Sequence, residues 1–378
     1  MRGRILLLLV ALSRPAGARA PQERPSETQP YTTRVLVEEL NDSLSVYAFS
    51  DSLWTHALRF QAMFRSAAVG ADQAFVGFSA GQEIYTPEEI SPAFEADELG
   101  VAPPDQVRDA FFRRWMEGDG AIDRPYSGWL YVGAAASLEA ATRQVLLGRA
   151  GLSRLELELQ LGAAGPPSYA GEFQTAMHRL TRRLTGNPYP RDPQGWEFAS
   201  GRDTEIDAHF GALAIATWHR DLLNTGDSER CVLDACLGLR IAGLTQARLG
   251  SVRDDAGVGM SVETGLVGYD PYRRLRQRAP GRAMPEVGTR LSSFALVVRA
   301  HVLARGILFD RHLDNRPFDD AAPEREKKPW GLQMSHGLAL RWLGLELEYL
   351  VLHRVKELRR PLLPGLHQAG VLRVGARW

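Results

Sequence analysis

Two side chains in the middle of this chain have the types and spacing for proton chemistry on one face of a helix. Gln174 and His178 are four residues apart, so a helix would place them one turn apart on the same side. Histidine changes charge near neutral pH and can take a proton from water; glutamine can orient a neighbour or a substrate by hydrogen bonding. The plainer alternative is a solvated or capping histidine on a connecting helix.

The segment from Gly165 to Asp203 must hold this pair. Ser168 reads as an N-cap with Glu172 in the first turn. Ala176, Leu180 and Leu184 repeat at four, and Gly186 stops the helix before Pro188. Arg179, Arg182 and Arg183 lie on the same helix. Guanidinium forks suit phosphate, although a solvated basic face explains them as simply.

Alternating strands surround the helix. Leu155, Leu157, Leu159 and Leu161 alternate with Arg154, Glu156, Glu158 and Gln160. A soluble sandwich explains this with the polar face in water; a membrane barrel explains it with the apolar face in lipid and the polar face in the lumen. Similar segments recur over 34–40, 55–64, 71–85, a stretch ending near 138, 204–218, 231–244, 257–269, 289–304, 332–342, 345–355 and 370–378. That makes about twelve strands, an even number, with both termini on the same side.

Composition narrows the function classes. Formal net charge is zero, with 44% hydrophobic and 24% charged residues, which argues against nucleic-acid binding. The longest apolar run, Ile5 to Leu12, is too short for a membrane-spanning helix. It follows Arg2 and Arg4 and precedes Ala18-Arg19-Ala20, so residues 1–20 read as a signal peptide and 21–33 as a polar leader. Residues 34–378 then form the expected fold: an all-β, transmembrane antiparallel barrel of about 12 strands, with a short helix in an outer loop. Cys231 and Cys236, five apart in a strand-like run, would point to opposite faces, which argues against a disulfide between them. Gly-x-Ser-x-Gly occurs at Gly77-Phe78-Ser79-Ala80-Gly81, but inside the strand-like run 71–85 and not at a strand-to-helix turn, so no serine-esterase elbow is indicated; His-Glu-x-x-His is absent, so no zincin site is indicated either.

Several motifs in order resemble the outer-membrane lipid A 3-O-deacylases, the LpxR-like family. They are Leu40-Asn41-Asp42, Trp54-Thr55-His56-Ala57, Gln82 to Pro87, Asp123 to Tyr131, Gly165-Pro166, Gln174 to His178, Pro193 to Trp196, and Leu313-Asp314 with Phe318. Some positions depart from the family pattern. Trp54 stands for tyrosine, Ala57 for glycine, Phe198-Ala199-Ser200 where a glutamine is expected, and Asp314 is followed directly by Asn315.

The resemblance implies a twelve-stranded barrel in the bacterial outer membrane. It also implies calcium-dependent hydrolysis of the ester at the 3-position of lipid A, with lipopolysaccharide of the outer leaflet as partner. Carried onto this chain, the catalytic residues would be His178, Gln174, Asn41 and Thr55, and Ca²⁺ would be held by Asp42 and Asn41. Such chemistry needs a base for water, here His178, and hard oxygen donors for the ion. Arg179, Arg182 and Arg183 would contact substrate phosphate. The departures leave two rival expectations: an inactive structural or lipid-binding barrel, and a phospholipase-type barrel.

Overall fold

The computed structural model describes residues 33–41, 56–66, 73–86, 127–142, 151–186, 196, 210–224, 231–232, 235–267, 295–310, 328–342, 345–355 and 366–377. They fall within one compact unit, Tyr31–Trp378. The strands are β1 (Thr33–Asn41), β2 (His56–Ser66), β3 (Gln73–Tyr85), β4 (Ser127–Thr142), β5 (Gly151–Ala164) and β6 (Phe210–Asn224). There follow the two-residue β7 (Cys231–Val232), then β8 (Ala235–Gly250), β9 (Arg253–Val267), β10 (Ala295–Asp310), β11 (Trp330–Trp342), β12 (Leu345–Val355) and β13 (Leu366–Arg377). Between β5 and β6 stands the helix α1 (Ala170–Thr185).

Every long strand pairs antiparallel with its sequence neighbour. β1 pairs with β13 and β6 with β8, so the twelve long strands close into a barrel with no open edge among them. No described helix is long and apolar enough to cross a membrane; the strands do the crossing.

The faces follow from the pleat. Leu157, Leu159 and Leu161 point outward, Leu161 being 56% exposed, while Glu158 and Gln160 are buried in the lumen at 8% or less. A lipid-facing exterior therefore accounts for the alternation in β5, as it does for exposed Phe60, Phe64, Phe78 and Val132 on β2, β3 and β4.

Ion pairs fill the lumen. Arg373 bonds Glu38 and lies 3.1 Å from Glu348. Arg299 reaches Glu348 at 2.5 Å and Glu263 at 3.2 Å, and Arg240 links Glu263 at 3.2 Å to Asp221 at 2.6 Å. Charges that would be prohibitive in lipid are thus paired inside. Across the lumen wall, Arg59 pairs with Glu158, and Arg34 lies 2.8 Å from Glu139.

Two local expectations are corrected. The run 231–244 is not one strand: β7 turns back on β8, and Cys231 is the register partner of Cys236. The opposite-face argument for that pair therefore fails. The helix also starts later than read. Ser168 ends a 3-10 turn, Pro166–Ser168, and Tyr169 in the left-handed region (φ 52°) stands at the N-cap. Its stop is as read: the N–H of Gly186 (φ 67°) donates to Arg182 O at 2.9 Å.

Candidate functional site

Strand direction places the site. β1, β3 and β5 run the same way, so Asn41, Tyr85 and Ala164 end at one rim, where β2, β4 and β6 begin with His56, Ser127 and Phe210. The first residues of β1 and the last of β13 lie at the other rim, Arg34 opposite Arg377. The helix-bearing connection rises from the first rim.

The helix is fixed against the outside of the wall. Gly165 N–H donates to Gly128 O at 3.1 Å, and Gln82 Nε2 donates to Ser168 O at 2.6 Å. Gln82 is the register partner of both Leu58 and Leu130, which are exposed, so it faces outward. The approach at Gly128 is close enough to require glycine: a Cβ there would sit 2.2 Å from Ser168 Oγ. α1 therefore overhangs the exterior of β2 to β5.

Between helix and wall lies a groove of about 1100 Å³. Leu58, Phe60, Leu130 and Leu161 form much of its floor, and Tyr169 and Phe173 overhang it. It opens on the lipid-facing surface at the rim, and its shape and lining suit an aliphatic chain.

His56 stands at the rim end of this groove. Its ring is 4.9 Å from that of Phe173, and Leu58 follows it on the same face of β2. The side chain is 5% exposed. Nδ1 is 2.8 Å from Glu39 Oε1, while Nε2 is buried without a hydrogen-bond partner among the described residues. Asn41 is its register partner across the β1–β2 ladder. Sequence reading passed over His56. The signal was there: Leu58, Phe60 and Phe64 set an outward register, and an ionisable ring in that register calls for a reason.

Gln174 is buried under the overhang, and its Oε1 accepts a hydrogen bond from Trp196 Nε1 at 2.8 Å. The indole packs on Gly171, where a Cβ would lie 2.8 Å from the ring. His178 is half-buried one turn on from Gln174. Arg182 is half-buried, and Arg179 and Arg183 are exposed. Leu180 and Leu184, which periodicity would bury, are exposed as well, Leu184 at 77%. They lie on the same helix as the three arginines, the combination found where a helix rests at a membrane interface.

Of the expected site residues, Asn41, Gln174 and His178 belong to this rim. Asp42 and Thr55 lie outside the described residues, as do Asp314 and Asn315. Among the described residues no cluster of three or more His, Cys, Asp or Glu could hold a metal. Hard oxygen donors among the described residues there include the Asn41 carboxamide and the Glu39 carboxylate, two residues apart on one strand face, and the Glu172 carboxylate on the groove lining.

Comparison with known proteins covers most of the chain. A family model described as outer membrane protein LpxR matches residues 118–378. Among solved structures, LpxR from Salmonella typhimurium is similar with a TM-score of 0.60 at 14% identity, covering 91% of this chain and all of that one. The β domain of the Bordetella autotransporter BrkA, 10% identical over 93% of this chain and 99% of that one, is far less similar at a TM-score of 0.34. Comparison with curated proteins finds no match.

Proposed function

The chain belongs to the LpxR family of outer-membrane proteins, and from that premise we propose that it is a lipid A deacylase, an ester hydrolase acting in the outer leaflet of the bacterial outer membrane. The observation that carries this reading is the apolar groove on the barrel's exterior, roofed by the helix that bears Gln174 and His178. A lipid-embedded ester needs a chain-binding surface that opens sideways into the leaflet, and a proton acceptor at its water-facing end.

In this reading the acyl chain lies on Leu58, Phe60 and Leu161, which puts its ester at the rim. His178 takes the proton of the attacking water as the oxygen bonds to the carbonyl carbon. The proton then passes to the departing sugar oxygen as the ester C–O bond breaks. Gln174 is held by Trp196, so its amide is oriented before substrate arrives and has one group left to offer. Arg179, Arg182 and Arg183 face the phosphates of the head group. Asn41 and Asp42 supply oxygen donors of the type calcium takes, and a bound Ca²⁺ would polarise the ester carbonyl. The ester at the 3-position is the assigned target.

Purified protein in detergent, incubated with lipid A, tests this. Release of one ester-linked chain is expected, abolished by chelation and restored by added calcium. Release indifferent to chelator removes the metal role of Asn41 and Asp42; no release at all removes the deacylase reading.

A further inference from the structure

The mechanism above leaves one buried titratable group of the rim unused, His56. Three observations converge on it. It heads the groove, since Leu58 beside it and Phe173 against its ring both line that groove. Glu39 holds its Nδ1 at 2.8 Å. Among the described residues its Nε2 is buried with no hydrogen-bond partner, in a side chain 5% exposed. A buried polar atom left unmatched is costly, and such atoms in folded proteins call for a partner that completes them.

The chemistry of that partner follows from the imidazole. In the neutral ring Nδ1–H donates to Glu39 and Nε2 presents a lone pair; in the charged ring Nε2 presents a hydrogen. A hydroxyl both donates and accepts, so it completes either form. A methylene completes neither and would bury the nitrogen against carbon. The rest of the groove admits an apolar chain. We propose that His56 is a ligand-contacting residue that selects acyl chains bearing a hydroxyl near the head-group end over unsubstituted chains. Glu39 is its positioning residue, fixing the ring so that Nε2 meets the chain. The inference rests on the acyl-chain reading of the groove given above, and not on hydrolysis.

Binding of two amides, which an esterase does not cleave, tests it. N-tetradecanoyl glucosamine and N-(3-hydroxytetradecanoyl) glucosamine compete with a fluorescent acyl probe for the protein in detergent micelles. The hydroxylated chain should bind wild type roughly ten- to a hundredfold more tightly, the range expected when a buried polar atom gains or lacks its partner. In His56→Phe the preference should vanish, with the plain chain bound at least as well as before. In His56→Gln part of the preference should remain, because a carboxamide still hydrogen-bonds a hydroxyl. Equal affinity of the two chains for wild type overturns the proposal. So does a preference that survives intact in His56→Phe or, should that variant fail to insert, in His56→Gln. Hydrolysis without the preference overturns this inference alone; the preference without hydrolysis overturns the deacylase reading alone.

Discussion

At the scale of single residues, the chemistry turns on which groups a side chain meets at the rim. His178 is assigned as proton acceptor, and neither Asn nor Gln can take that proton. His178→Asn should insert normally and stay resistant to heat in detergent, yet hydrolyse lipid A roughly 10²- to 10⁴-fold more slowly. A half-buried helix residue with a merely structural role would leave the rate near wild type, so a kinetic comparison of the folded variant decides. The helix that sets Gln174 and His178 one turn apart was legible from their spacing and from the Gly186 stop. Trp196 as the partner of Gln174 was not, since 22 residues separate them in sequence. His56 was missed because a strand-initiating histidine looks like any strand residue until the register turns it outward, against Phe173.

At the scale of elements, the site depends on α1 being pinned to the barrel wall. Gly128 is where the two come closest, with Ser168 Oγ and Ala170 Cβ both inside the space a side chain would need. Gly128→Val should lift the N-terminal end of the overhang, widening the groove and displacing Gln174 and His178. Misplacement on the order of 1 Å costs roughly 10²-fold in rate. Hydrolysis should fall by about that much, while the barrel's resistance to heat in detergent stays close to wild type. An unchanged rate would mean that the helix does not position the chemistry. Element boundaries explain two misreadings. Ser168 has the composition of an N-cap, but Pro166 and Pro167 drive a 3-10 turn first, and the hydroxyl donates back to Gly165 O. The four-residue repeat of Ala176, Leu180 and Leu184 signals a buried face in a soluble protein; on a barrel's exterior the same stripe stays exposed.

At the scale of the whole molecule, the twelve-strand count and the even parity were legible because lipid outside and charge inside impose a period of two on every strand. β5 carried that signal most clearly. The sequence could not say which acidic residue would meet which arginine, because those pairs join strands far apart in the chain, such as Glu38 with Arg373. The lumen network should matter to stability. Arg299 touches Glu263, Glu346 and Glu348, of which Glu263 keeps Arg240 and Glu348 keeps Arg373 when Arg299 is removed. Arg299→Leu should therefore cost up to about 3 kcal/mol, less than stranding a buried charge completely. The measurement is the temperature at which the barrel loses its compact form in detergent, which should drop; no change would mean that the network is not holding the wall.

If the exterior groove and the helix above it remove an ester-linked chain from lipid A, the lipid's mass records it. Mass spectrometry of lipid A from outer membranes with and without the protein addresses it most directly, with the His178→Asn variant alongside. Wild type should shift lipid A to the mass of the species lacking one ester-linked acyl chain, and the variant, equally abundant and heat-resistant, should leave it fully acylated. Lipid A of unchanged mass in the presence of correctly inserted wild-type protein and calcium would contradict the deacylase reading.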